Sequence, residues 1–135
     1  MKEDFVTFKQ AQILKKLGFD WDCDFIYYLP YHNHNKSIFS QYETVRDYEM
    51  EKYWYAPTID KVQKWMREEM GIDIVISPKF NSKTGDRVGY FWRWSQRSDV
   101  NMNPKTFKTY EKALLDAIDT IISPFEDYKK TNNGG

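Results

Sequence analysis

The sequence predicts an α+β fold, a mainly antiparallel sheet with helices packed on one face, in the element order α-β-β-α-β-β-α. Segments with apolar residues at three- and four-residue steps are interspersed with segments of period two. The strands are joined by hairpin-like turns and do not follow strand-helix-strand alternation throughout, which favours antiparallel pairing. The 135 residues include 9 Phe, 10 Tyr and 5 Trp, a composition that disordered chains lack. Residues 1–128 are expected to form a single domain and residues 129–135, Lys-Lys-Thr-Asn-Asn-Gly-Gly, a flexible tail with nothing to bury.

Each element has a local reason. Thr7-Phe-Lys-Gln10 has the form of a capping box, so a first helix starts at Phe8. Phe8, Ala11, Leu14 and Leu17 trace its apolar stripe, Ile13 widens it, and Gly18 can take the left-handed conformation that ends it. Phe25-Ile-Tyr-Tyr-Leu29, closed by Pro30, reads as a strand. Residues 30–44 read as a loop rich in turn formers, and a second strand is placed across Tyr48–Tyr55. Pro57 favours an extended predecessor and Thr58 can cap a second helix, with Ile59, Val62, Trp65 and Met66 on one side and a stop at Gly71.

Ile72, Ile74 and Ile76 then alternate as in a strand with one buried face, and Asn81-Ser-Lys-Thr-Gly-Asp86 supplies a turn. Val88, Tyr90, Trp92 and Trp94 alternate along the next strand, so the two should form an antiparallel hairpin. Ser98 to Lys105, polar and containing Pro104, reads as a loop. Thr109 caps the last helix, whose stripe of Tyr110, Ala113, Leu114, Ala117, Ile118, Ile121 and Ile122 ends before Pro124.

Several function classes find no support. No run of about 18 apolar residues exists to span a bilayer, and the N-terminal residues lack a secretory h-region, so a cytoplasmic protein is expected. Cys23 is the only cysteine, which excludes an intramolecular disulfide. His32 and His34 form a His-x-His pair in the first loop, but no Cys or Glu cluster adjoins them to complete a metal site. Asp20, Asp22 and Asp24 resemble the opening of a calcium loop, yet Phe25 stands where glycine is needed and Tyr31 where a bidentate Glu is needed. No phosphate loop or nucleophile elbow occurs, and Glu68 and Glu69, adjacent on a helix, point about 100° apart. No cofactor, metal or catalytic residue is therefore expected; an enzyme built on His32 and His34 is the least favoured reading.

Charge is where the sequence is unusual. Twenty Lys+Arg balance twenty Asp+Glu, but residues 79–108 carry seven basic and two acidic side chains, against acidic flanks. If Val88, Tyr90, Trp92 and Trp94 face the helices, the other face of that strand carries Arg87, Gly89, Phe91, Arg93, Ser95 and Arg97. Arg87, Phe91, Arg93 and Arg97 are the expected binding residues. Arginine with aromatic surface suits a protein partner, and it also suits single-stranded nucleic acid. The alternative is a solvated sheet face whose arginines pair across strands, for example with Asp73. A protein partner fits best, because the acidic flanks would repel a long nucleic acid.

Phe5-Val-Thr-Phe-x-Gln-Ala-x-x-Leu-Lys-x-Leu-Gly-Phe19, Tyr55-Ala-Pro-Thr58, Trp65-x-Arg-Glu-x-x-Gly71 and Tyr110-Glu-x-Ala-Leu114 together resemble small uncharacterised proteins encoded by phages and prophages of gut Bacteroidetes. The likeness runs from Phe5 to about Ile122 and rests on caps, stripes and strand aromatics. It implies a shared fold and a phage or mobile-element accessory protein, with no catalytic residues to carry over. The loop around His32 and the segment from Asp99 to Lys105 look longer here than in that group.

Overall fold

The computed structural model describes residues 4–30, 36–45 and 50–126. His32 and His34, the start of the strand placed at Tyr48, and the tail all lie outside them. The chain is α+β, with two three-stranded antiparallel sheets, and it divides into two compact units: residues 1–58 with 122–135, and residues 59–121.

The first unit opens with α1 (Phe8–Lys16), which starts where the capping box predicts. Thr7 Oγ1 accepts from the Gln10 amide at 3.2 Å, and Gln10 Oε1 accepts from the Thr7 amide at 2.8 Å. The helix ends as Gly18 allows. At φ 98° the Gly18 amide reaches the Lys15 carbonyl, the Phe19 amide reaches the Leu14 carbonyl, and both Phe19 and Leu14 are buried. β1 (Phe25–Pro30) is the centre of a sheet ordered β2-β1-β3, with β2 at Ile38–Gln41 and β3 at Met50–Tyr55. Between them, α2 (Tyr42–Val45) is a single turn. Thus β2 and α2 occupy residues that read as loop. The strand Ile38-Phe-Ser-Gln41 is too short to display a period, and it is held by pairing Tyr27 with Phe39 across the ladder.

The first unit uses its aromatic residues to pack. Phe5 stands edge-on to Phe25 and Phe39, centroids 5.1 and 5.2 Å away, and those two stack on each other. Phe8 of α1 meets Trp54 at 5.0 Å and Tyr27 at 5.6 Å. Tyr27 is buried, and its hydroxyl donates to the Val6 carbonyl at 2.6 Å, so its polar end is satisfied.

The second unit begins with α3 (Ile59–Trp65), which continues as a π-helical turn (Met66–Met70) and stops at Gly71 in the left-handed region, φ 67°. Ile59, Val62, Trp65 and Met66 are all buried, as their spacing predicts. A sheet ordered β4-β5-β6 follows: β4 (Ile72–Phe80), β5 (Arg87–Gln96) and β6 (Asp99–Phe107). The predicted turn closes the β4-β5 hairpin. Asn81 Oδ1 accepts from the Lys83 and Thr84 amides, and Gly85 adopts φ 78°. β6 corrects the loop reading of Ser98 to Lys105. It is an edge strand, and Pro104 falls where its register with β5 shifts, between Asn103 and Phe107, outside the regular ladder.

Helix α4 (Tyr110–Ile122) begins with the Thr109 hydroxyl accepting from the Lys112 amide at 3.1 Å. Ala113, Leu114, Ala117, Ile118 and Ile122 have no exposed surface. Tyr110, assigned to the same stripe, is instead 37% exposed at the first turn and meets Tyr90 edge-on. The helix fixes the orientation of β5: the buried Trp92 donates its Nε1 proton to Asp116 Oδ2 at 2.9 Å, so the Trp92 side of the sheet faces α4.

Candidate functional site

The side of the second sheet turned away from Trp92 is built by side-chain alternation across three strands. Pairing places Asp73, Val75, Ser77 and Lys79 of β4 opposite Ser95, Arg93, Phe91 and Gly89 of β5. On the other side of β5, Met102 pairs with Arg93 and Val100 with Ser95. Arg93 therefore lies between Val75 and Met102 in one cross-strand row, with Phe91 half-buried beside it.

This face exposes apolar surface to a degree that isolated surface residues do not. Val100 is 66% exposed, Met102 61% and Val75 39%, and they flank Arg93 and Ser95 of the central strand. A shallow cavity of about 240 Å³ lies among them, lined by Asp73, Val75, Arg93, Ser95 and Val100. Asp73 and Arg93 both line it, yet among the described residues they form no ion pair with each other. The cross-strand pairing weighed from sequence is thus not what Arg93 does. At the far end of the same face, Lys79 Nζ donates to the Pro104 carbonyl at 3.4 Å.

Of the four expected binding residues, Phe91 and Arg93 share this face, and Arg87 and Arg97 do not. Arg87 is displaced by a β-bulge. Lys79 pairs with Gly89 but Phe80 pairs with Arg87, so Val88 is an extra residue and the alternation inverts beyond it. Arg87 consequently lies on the Trp92 side, its Cζ 5.3 Å from the centroid of the Tyr90 ring. Val88, expected to face the helices, sits in the bulge and is 50% exposed. Gly89 is the available signal, since a lone glycine within a strand often marks a bulge.

Arg97 lies past the end of β5, in the two-residue turn between Gln96 and Asp99. It has φ 57°, and among the described residues it is the only non-glycine with positive φ. Its guanidinium therefore stands at the hairpin tip. Val75, Val100 and Met102 are the members of the face that sequence reasoning misses. Val100 and Met102 fall in the segment that reads as loop, and Val75 falls among the alternating partners of the isoleucines.

A second cluster of polar and aromatic side chains lies in the first unit, where Lys15 of α1 meets β3. Lys15 Nζ donates to the Tyr53 carbonyl at 2.8 Å and lies 5.6 Å from the centroids of both the Tyr53 and Trp54 rings. Burial, and secondarily the nearby charge of Lys52, lower its pKa below the usual lysine value. On the outer side of the same strand, Tyr42 stacks on Tyr53 at 5.3 Å and meets Tyr55 edge-on at 6.3 Å. Burial, then Asp22 and Tyr42, raise the Tyr55 phenol.

No helix among the described residues is long and apolar enough to cross a membrane. Comparison with known proteins finds no matching family model, no matching curated protein and no matching solved structure.

Proposed function

We propose that the protein is a non-catalytic interaction module that binds a protein partner through the outer face of β4, β5 and β6. The reading extends to a phage or mobile-element accessory role in the cytoplasm, as the sequence resemblance implies. The observation that carries it is the row of Val75, Arg93 and Met102 with Val100 beside it: exposed apolar side chains around one guanidinium. Arginine amid apolar surface is the composition of an interface centre, and net positive charge across residues 79–108 suits a partner surface that is apolar and acidic.

Single-stranded nucleic acid remains the alternative for the same face, and the register weakens it. A phosphate track needs several cations in line with a stacking ring. With Arg87 turned to the opposite side and Arg97 at the tip, Arg93 is the arginine beside Phe91, and the neighbouring positions are valine and methionine.

Two experiments separate the readings. Affinity capture from cells that carry the gene should retain a partner that Met102→Asp releases, while Met102→Asp leaves the circular dichroism spectrum unchanged. Burying a side chain this exposed contributes about 1–2 kcal/mol, so the loss should be about five- to thirtyfold. Tight binding of an oligothymidylate that weakens steeply with salt and disappears in Arg93→Ala would replace this proposal with the nucleic-acid one.

A further inference from the structure

The first unit carries a cleft that the proposed binding face does not use. Lys52 and Trp54 are alternate residues of β3 and so project to one side of the strand, and Lys15 approaches the same indole from α1. Lys15 Nζ is 5.6 Å and Lys52 Nζ 5.1 Å from the centroid of the Trp54 ring. Two adjoining cavities of about 240 and 230 Å³ share Lys15 and Trp54. The first is walled by Ala11, Phe19, Tyr53 and Tyr55, with Asp20 in its lining, and the second reaches Lys52.

Two ammonium groups drawn to one indole repel each other. Among the described residues neither Lys15 nor Lys52 has a carboxylate partner. Lys15 is held in place by its bond to the Tyr53 carbonyl, which uses one of its three protons and leaves two to donate. Partial burial and the repulsion are also what depress its pKa. An anion placed between the two nitrogens would remove that cost. The walls select what else the anion can carry. Those of the first cavity are chiefly aromatic and apolar, whereas the second adds Gln12, Lys16 and Lys52 to Lys15 and Trp54, and each cavity exceeds the roughly 150 Å³ that accommodates a benzene ring.

We infer that the cleft between α1 and β3 binds a small aromatic carboxylate, the carboxylate held by Lys15 and Lys52 and the ring set beside Trp54 in the cavity that Phe19, Tyr53 and Tyr55 also line. Phenylacetate is a suitable probe, with acetate and 2-phenylethanol as the versions lacking the ring or the charge. Calorimetric or NMR titration of the full chain should show saturable binding of phenylacetate. Phenylethanol should bind at least about tenfold more weakly, since a charge-assisted hydrogen bond contributes that much or more, and acetate likewise, since it lacks the ring whose burial contributes as much.

Lys52→Met, on an exposed side chain, and Lys15→Met should each weaken phenylacetate by about tenfold, with Lys64→Met as the control that leaves it unchanged. Should Lys15→Met loosen the fold through the lost bond to Tyr53, Lys52→Met still decides. Binding of phenylethanol as tight as that of phenylacetate, or full phenylacetate affinity in Lys52→Met, would overturn the assignment. So would an absence of saturable binding by all three probes.

Discussion

Gly89→Ala should be the most damaging single-methyl addition in the second sheet. Gly89 has φ 153°, and a Cβ built on it would lie 2.5 Å from the Phe107 carbonyl oxygen and 2.5 Å from Thr106 Cγ2. The oxygen is backbone and cannot rotate away. Relieving the clash means moving β6 off β5 beside the pairing of Tyr90 with Phe107. Overpacking of this kind costs about 1–3 kcal/mol, and a side chain in that backbone region adds about 1–3 kcal/mol. A loss near 3 kcal/mol is the expectation. Gly85 provides the comparison, because it has φ 78° with nothing within 4 Å of an added methyl, so Gly85→Ala should cost only the conformational part, about 1–2 kcal/mol. Urea unfolding of both variants, followed by tryptophan fluorescence, gives the two losses directly. A Gly89→Ala protein within about 0.5 kcal/mol of the parent, or no less stable than Gly85→Ala, would refute the close approach of β6 on which the proposed binding face rests.

Three other perturbations have definite outcomes. Thr7→Ala removes the hydroxyl that caps α1 and should lower stability by about 1 kcal/mol, read as a shift in the urea midpoint; an unchanged midpoint would mean the cap contributes nothing. Arg97→Gly relieves a positive φ at the hairpin tip and should raise stability by about 1 kcal/mol, whereas a loss would show that the guanidinium makes contacts worth more than the strain. Burial raises the Tyr27 phenol above the ordinary tyrosine value of 10.0, so its contribution is intact below about pH 10 and is lost as pH rises through the folded value. Tyr27→Phe should therefore flatten part of the alkaline decline in the urea midpoint, while costing about 1 kcal/mol at neutral pH through the lost bond to Val6.

What is legible in the sequence is mostly local chemistry. The Thr7 and Gln10 pair, Gly18, the turn from Asn81 to Asp86, Gly71 and Thr109 each specify backbone geometry with side chains a few residues away, and each is found in place. The helix stripes are legible for the same reason, since their period is intrinsic. β6 is not, because its pattern is inverted. Its apolar Val100 and Met102 face outward while the polar Asn101 and Asn103 pair with Trp94 and Trp92, so the strand exists by virtue of its ladder with β5. That inversion also hides half of the proposed binding face. The misplacement of Arg87 has a different cause: alternation holds only until a bulge, and a single extra residue moves a side chain to the other face. Division of the strands between two sheets depends on long-range pairing, which no local period encodes.

The proposed partner-binding face is the one formed by Val75, Arg93, Val100 and Met102. Photocrosslinking in cells from a probe residue at Met102, compared with one at the exposed Glu111 of α4, tests this most directly. One dominant adduct is expected from position 102, lost when Arg93→Glu is added, and none from position 111. Equal adducts from both positions, or an adduct at 102 indifferent to Arg93→Glu, would contradict the proposal.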